Sequence, residues 1–285
     1  MDEDTIAEEN PKVKPLGAAT GFLARTLARK QGELAGRLNP SAEAQARARA
    51  RDRAPVRNLA AALRGSRLRI IAEIKRVSPA AGPLDLTSDI VARARAYAAG
   101  GAAAVSVLTD AAFGGSLADL EAIAGRVPVP VLRKDFLIHP FEIWESRAAG
   151  ADAALVIVAA LGDANLRALV DAAAEAGLGL LVEIHGPDDV ARAAALAPPV
   201  VGVNARDLTT LEMAQTNAYS TLAAMRRDWG PDVVLVAESG IRGPDDLRAA
   251  RAAGADAVLV GEYLMRAADP ERAVAGLSAP PDAPR

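Results

Sequence analysis

Short aliphatic runs bounded by glycine, proline and polar residues are spaced along this chain. Five of them end in charged or amide side chains at the same relative place: Ile70-Ile71-Ala72-Glu73-Ile74-Lys75, Val131-Leu132-Arg133-Lys134-Asp135, Leu180-Leu181-Val182-Glu183, Val203-Asn204-Ala205-Arg206 and Val236-Ala237-Glu238-Ser239-Gly240. Runs of this kind look like strands buried on both faces, as in a parallel sheet covered by helices. A charge at the carboxyl end of such a strand works against folding, because an ionised group taken out of water loses several kcal/mol unless it is well paired. A chain that keeps such groups together is expected to use them, so the strand ends mark the active site.

One segment nearly repeats itself: Arg147-Ala148-Ala149-Gly150-Ala151-Asp152-Ala153-Ala154-Leu155-Val156 and Arg251-Ala252-Ala253-Gly254-Ala255-Asp256-Ala257-Val258-Leu259-Val260. Each reads as a helix end, a glycine cap and the next strand. Weaker copies stand at 98–105 and 174–180, so the repeat unit is a strand followed by a helix. Strands are then predicted at about 69–74, 103–108, 129–134, 153–158, 179–183, 200–203, 233–237 and 256–260. Eight such units predict an α/β fold, the closed (βα)8 TIM barrel. A doubly wound open sheet usually carries fewer strands and a glycine-rich first turn, whereas the first turn here is Arg76-Val77-Ser78-Pro79.

Residues 1–68 precede the first strand and carry helical signals around 19–36 and 41–63, interrupted at Asn39-Pro40 and Ala54-Pro55. They form an N-terminal helical extension, followed by the barrel over 69–278 and a frayed tail over 279–285. Arginines at 47, 49, 51 and 53 are mixed with Glu43 and Asp52 and lack interleaved aromatics, so they predict a solvated helix face and not a nucleic-acid surface.

Alternation along a strand turns the strand ends into a site. Ile71, Glu73 and Lys75 share one face of the first strand, and the same count puts Lys134, Glu183, Asn204 and Glu238 on the inner face of theirs. All then meet at the carboxyl-terminal mouth, with Arg206 near. Three carboxylates facing two lysines form a network in which each group's protonation depends on its neighbours, and such a network can supply both acid and base. Apolar side chains would plug a barrel at lower cost. Across the mouth, Ser239-Gly240 closes the seventh strand and Gly261-Glu262 opens the last helix, where backbone N–H groups can approach an anion; Ser78 can add a hydroxyl.

Composition narrows the chemistry. Lys+Arg of 33 against Asp+Glu of 36 leaves a net charge of −3, with no global basic field for nucleic acid or an anionic membrane. A small-molecule substrate is expected. The absence of cysteine excludes disulfides, thiolate metal sites and thiol nucleophiles. His139 and His185 are the only histidines, so no metal site is expected; His139, before Pro140, reads as a cap or an exposed residue, and His185 as a rim residue. No run reaches the roughly 18 apolar residues of a spanning helix, and the acidic Met1-Asp2-Glu3-Asp4-Thr5 leads into no apolar segment, so a cytoplasmic protein is expected.

The same residues carry a resemblance. Ile71-Ala72-Glu73-Ile74-Lys75-Arg76-Val77-Ser78-Pro79, Val131-Leu132-Arg133-Lys134-Asp135-Phe136, Leu181-Val182-Glu183-Ile184-His185, Gly202-Val203-Asn204-Ala205-Arg206-Asp207-Leu208 and Ala237-Glu238-Ser239-Gly240-Ile241 resemble, in order, the indole-3-glycerol phosphate synthase family. The similarity runs from about residue 20 to 275. It implies a barrel whose mouth is covered by the N-terminal extension, and an enzyme of tryptophan biosynthesis without metal or cofactor; a monomer is the expected state, although the residues do not fix it. The implied reaction closes 1-(2-carboxyphenylamino)-1-deoxyribulose 5-phosphate to an indole, with loss of carbon dioxide and water. By resemblance Lys134 is the acid that polarises the carbonyl, with Glu183 handling protons nearby, and Lys75 contacts the substrate carboxylate and partners Glu73 in the dehydration. Asn204 and Glu238 orient hydroxyl and amine groups, Phe136 packs on the aromatic ring, and Arg206 holds the anthranilate end. Ser78, Ser239, Gly240, Gly261 and Glu262 match the phosphate positions. Two departures stand out: one aromatic, Phe113, in 108–116 where the resemblance leads one to expect a pair, and Tyr263 in place of a small residue.

Two other readings compete. Another phosphosugar-binding TIM-barrel enzyme, such as the neighbouring isomerase of the same pathway, would want a cysteine or an aspartate pair at strand ends, and there is no cysteine. A catalytically silent barrel serving as a binding protein has no use for Lys75, Lys134 and Glu183 together.

Overall fold

The computed structural model describes residues 21–79 and 81–278. The first part of the extension (1–20), where the predicted first helix begins, and the tail (279–285) lie outside the described residues. Eight parallel strands close a barrel: β1 (Arg69–Ile74), β2 (Ala104–Leu108), β3 (Val131–Lys134), β4 (Ala153–Ile157), β5 (Gly179–Ile184), β6 (Val200–Asn204), β7 (Val234–Glu238) and β8 (Ala257–Val260). Each pairs with the next, and β1 closes on β8 with Arg69 opposite Ala257 and Ala72 opposite Val260. These agree with the predicted strands to within two residues. The third starts late because Pro128 and Pro130 bring no N–H to a ladder.

The helices are α1 (Phe22–Ala35), α2 (Pro40–Arg51) and α3 (Leu59–Leu63) before β1, then α4 (Ile90–Ala99), α5 (Leu117–Ala124), α6 (Pro140–Ala148), α7 (Asp163–Ala176), α8 (Pro187–Ala194), α9 (Gln215–Trp229), α10 (Pro244–Ala252), α11 (Glu262–Met265) and α12 (Pro270–Ser278). The near repeat works as a structural unit. Gly150 and Gly254 both turn the chain at φ 93°, a left-handed value that disfavours any side chain. Two residues on, Asp152 accepts the Val131 N–H at 2.8 Å and Asp256 accepts the Leu235 N–H at 2.8 Å, so each aspartate holds the start of the preceding strand. His139 caps α6: its Nδ1 accepts the Phe141 N–H at 3.1 Å, and Glu142 reaches back to the His139 N–H at 3.2 Å.

The extension is fastened from both ends. At the start of α1, the Phe22 and Leu23 N–H groups donate to the carbonyls of Thr209 and Leu208 in the loop after β6. The arginines of α2 and the turn after it depart from the expected solvated face. Arg47 lies over the Trp144 ring, 4.3 Å from its centroid, and pairs with Glu175 of α7 at 2.8 Å. Arg49 and Arg53 both reach Glu121 of α5 at 2.9 Å. A guanidinium can stack on an aromatic face and fork onto a carboxylate at once, so these side chains tie α2 to the outer helices; Arg49 and Arg51 are both exposed, and Arg51 alone of the four makes no ion pair to a described residue.

Candidate active site

Glu73, Lys134, Glu183 and Glu238 come from alternate strands, β1, β3, β5 and β7, and their side chains meet inside the barrel. Lys134 Nζ lies 3.0 Å from Glu183 Oε2 and 3.3 Å from Glu238 Oε2. On the β1 side, Lys75 Nζ lies 3.0 Å from Glu73 Oε1. Asn204, at the end of β6, donates to Glu183 Oε1 at 3.1 Å and accepts from Ser239 Oγ at 2.7 Å. The six inward residues, together with Phe136, Arg206, Ser78, Ser239, Gly240, Gly261 and Glu262, line one cavity of about 480 Å³. Strand parity accounts for the six inward residues; the loops and the resemblance account for the other seven.

The protonation states separate. Burial alone would lower the Lys134 ammonium, but the carboxylates of Glu183, Glu238 and Glu73 outweigh it and hold the lysine well above its usual range. Burial pushes both glutamates up. For Glu183 the adjacent Lys134, His185 and Asn204 reverse the sign and keep it ionised, below the usual carboxylate range. Glu238 moves the other way: burial and the charge on Glu183 raise it, and Lys134 does not compensate. Its oxygens make no aligned hydrogen bond to a described residue, although Lys134 is within ion-pair distance. One ammonium between two buried carboxylates thus holds Glu183 ionised and leaves Glu238 raised toward its protonated form, two carboxyls driven apart by their surroundings.

The rest of the cavity is shaped by small residues and rings. A Cβ on Gly202 would fall 1.9 Å from Glu238 Oε1, and one on Gly261 would fall 2.3 Å from Glu73 Oε1, so both glycines make room for a carboxylate. Ser239 and Gly240 both have left-handed φ, 67° and 77°, and the hydrogen bond from Ser239 Oγ to Asn204 helps hold the serine in that sparsely populated region. The Glu262 side chain turns to Arg266 at 3.2 Å and is substantially exposed, leaving the backbone of the 261–262 turn toward the cavity. Arg206 spends one N–H on the Leu211 carbonyl at 2.9 Å, which braces the loop after β6. Ser78 sits in a hairpin, Val77–Ser78 against Gly82–Pro83, with its hydroxyl buried.

Three rings meet above the charges. Phe22, Phe113 and Phe136 have centroids 6.1 to 6.3 Å apart. The second aromatic missing from 108–116 is therefore supplied by α1. Sequence reading overlooked Phe22, although the scarcity of rings was a signal: the chain has four phenylalanines, and three are here. It also left His185 without a role, yet its Nε2 lies 3.1 Å from Glu183 Oε1.

Among the described residues no cluster of three or more histidine, aspartate or glutamate side chains is arranged to hold a metal ion, and no helix is long and apolar enough to cross a membrane. A closed (βα)8 barrel with lysines and carboxylates converging inside its carboxyl-terminal mouth is an enzyme of the TIM-barrel class, built to move protons on a small organic molecule. Residues 23–277 match the sequence profile of the family described as indole-3-glycerol phosphate synthase. The chain belongs to that family. It is 48% identical over 226 residues to indole-3-glycerol phosphate synthase 1 of Streptomyces coelicolor, covering 79% of this chain and 82% of that protein. The enzyme of the same name from a Nocardioides species is 49% identical over 243 residues, covering 85% and 92%. Among solved structures, thiamine phosphate pyrophosphorylase from Pyrococcus furiosus aligns with a TM-score of 0.55 at 16% identity, over 77% of this chain and 96% of that one, a likeness of fold alone.

Proposed function

We infer that this protein closes 1-(2-carboxyphenylamino)-1-deoxyribulose 5-phosphate to indole-3-glycerol phosphate, releasing carbon dioxide and water. The observation that carries the chemistry is the split between two lysine–carboxylate groups on one cavity, Lys134 with Glu183 and Glu238, and Lys75 with Glu73. Ring closure needs a cation or acid at the ribulose carbonyl, a cationic site for the substrate carboxylate, and acid and base for the dehydration. In this reading Lys134 is the acid at the carbonyl and Glu183 the base beside it. Lys75 meets the carboxylate that leaves as carbon dioxide, and Glu73 orients Lys75. Glu238, carrying a proton, and Asn204 orient substrate hydroxyl and amine groups.

The three-ring cluster takes the anthranilate ring, with Arg206 at its edge. The backbones of Ser239-Gly240 and Gly261-Glu262, with the Ser78 hydroxyl, take the phosphate. Within the extension, the described residues 21–68 serve as a lid-like cover on the barrel of 69–278, since Phe22 of α1 forms part of the cavity wall. The working unit is the single chain, because one chain supplies the acid, the base and the ring pocket together. Incubating purified protein with the carboxyphenylamino-deoxyribulose phosphate, while following indole absorbance and released carbon dioxide, tests the reading. No product would overturn it.

A further inference from the structure

The proposed reaction does not conserve protons within the substrate. A carboxylate enters with one negative charge and leaves as neutral carbon dioxide and water, while the phosphate is unchanged, so one proton must be taken up from solvent in every turnover. Proton-carrying groups in the cavity can lend a proton once, and then must be recharged.

The structure has a second cavity, of about 640 Å³, between α8 and α9, walled in part by His185, Asp207, Thr221, Met225 and Trp229. Asn204 lines both cavities. His185 stands at the partition: its ring borders the second cavity while its Nε2 lies 3.1 Å from Glu183 Oε1, the buried base of the first. Both ring nitrogens are shielded from bulk solvent, and neither makes an aligned hydrogen bond to a described residue, so Nε2 stands within ion-pair distance of Glu183 without an aligned bond to it. We propose that His185 feeds protons from the second cavity to Glu183 during turnover, an inference that rests on the activity proposed above.

The step balances without any co-reactant beyond water. Once Lys134 has given its proton to the substrate, it is neutral, and the attraction that kept Glu183 ionised is gone. The imidazolium of His185 then breaks its Nε2–H bond as Glu183 Oε1 forms an O–H; a turn of the carboxyl group brings that O–H to the side facing Lys134, where Oε2 rests 3.0 Å from Nζ, and the O–H bond breaks as the Lys134 N–H forms. A hydronium ion or protonated buffer reaching the second cavity recharges the ring. Imidazole suits this task because it is the ordinary side chain that changes charge between about pH 5 and 8. The charged groups facing it from each packed element are Glu183 of β5, with Lys134 behind it; Asp189 of α8, which accepts the His185 backbone N–H at 3.0 Å; Asp207 of the loop after β6; and Asp228 of α9. Acidic groups on the second-cavity side favour arrival of a proton there.

His185 touches no substrate in this scheme and acts through Glu183. The test compares kcat and KM of the full chain and of His185→Gln on the carboxyphenylamino-deoxyribulose phosphate from about pH 6 to about pH 9, with and without added imidazole. The expected result is a KM within about twofold of the parent and a kcat lower by on the order of 10-fold at the alkaline end, with a smaller loss at about pH 6 and recovery on adding imidazole. A kcat–pH profile identical to the parent's overturns the relay. So does a loss that is equal at all pH values and insensitive to imidazole, which would mean that the ring only packs. If His185→Gln does not fold, Ala224→Leu adds bulk to the α9 wall of the second cavity; the same steep alkaline fall supports the relay, and a parental profile overturns it. Absence of product from the unmodified protein withdraws the activity and the relay together, whereas an active parent with an unaltered variant withdraws the relay alone.

Discussion

Replacing Lys134 by methionine keeps the length of the side chain and removes its charge from between Glu183 and Glu238. At 3.0 Å from the ionised Glu183, and an effective dielectric of about 20, the lost attraction is on the order of 5 kcal/mol, whereas Glu238 at 3.3 Å already carries a proton and loses little. The protein will not bear the full loss. Glu183, fully buried and left with His185 and Asn204, takes a proton instead, so the net loss of stability at neutral pH is expected to be about 3 kcal/mol. The sign of the pH dependence is the sharper expectation. In the parent the folded-state pKa of Glu183 is depressed below its unfolded value of about 4.3, so its contribution is fully present above that pH and is lost as pH falls through the folded value. In Lys134→Met burial dominates and the folded pKa is raised, so the contribution is present below about pH 4.3 and lost as pH rises through the folded value. Urea unfolding at several pH values between about 5 and 8, followed by tryptophan fluorescence, should therefore show stability falling with pH for the variant.

Turnover should drop by about 100-fold or more, which is roughly 2.7 kcal/mol of transition-state stabilisation, with a smaller change in KM. Near-normal turnover would remove Lys134 from the acid role. An unchanged stability–pH slope would mean that something other than Lys134 holds Glu183 ionised.

Glu183→Gln keeps the shape and the Asn204 contact but cannot take a proton; kcat should fall by about 100-fold in a folded protein, and a pH–rate profile like the parent's would count against Glu183 as base. Glu262→Ser should leave phosphate and substrate affinity unchanged or slightly improved, because that side chain faces Arg266. Gly261→Asp should weaken substrate affinity by on the order of 10-fold or more and also lower kcat, since its Cβ would fall 2.3 Å from Glu73 Oε1; intact affinity in Gly261→Asp with abolished affinity in Glu262→Ser would show that the phosphate is not held at this turn. Lys30 of α1 pairs with Asp135 at 2.8 Å, so Lys30→Met should cost about 2 kcal/mol in urea unfolding, because Asp135 keeps only Arg133 as a cationic partner, and should raise KM through the loosened Phe22; a change within experimental error would show the Lys30–Asp135 pair to be weak. Deleting residues 1–44 should then both destabilise the barrel and weaken substrate binding, and binding as tight as the parent's would end the covering role of the extension.

The sequence is most legible where the physics is local. A strand alternates its side chains with a period of two, so counting from Glu73 or Lys134 says which face each residue occupies, and the barrel converts a shared face into a shared cavity. That is why every residue chosen at a strand end lines the same site. Contacts between elements distant in the chain are a different matter. Nothing in the residues around Gly202 announces that Glu238 will need the space a methyl group would fill. The arginines of α2 read as a solvated face because an exposed charge and a charge stacked on Trp144 look the same in one dimension. His185 was placed at the rim by its distance from Glu183 in sequence, and only the packing of α8 and α9 gives its second side a cavity.

The extension shows where a long-range contact does leave a local trace. Leu23, Leu27, Lys30 and Leu34 fall on one stripe of α1 at helical spacing, and all four are buried. A lysine on the apolar stripe of an amphipathic helix needs a partner of opposite charge under it, since an unpaired buried ammonium would neutralise or expel itself. Lys30 finds Asp135 at 2.8 Å and approaches Glu142 at 3.8 Å. Asp135 in turn receives Arg133 at 2.9 Å and the Thr109 hydroxyl at 2.7 Å, which together hold its carboxyl below the usual range despite burial. This carboxylate stands between Lys134 and Phe136 in sequence, so the element that carries Phe22 is pinned to the backbone that presents both the acid and the ring floor. The position of the extension and the geometry of the site are thereby set by one buried charge, and its partner could have been sought among the carboxylates next to the strand-end lysines.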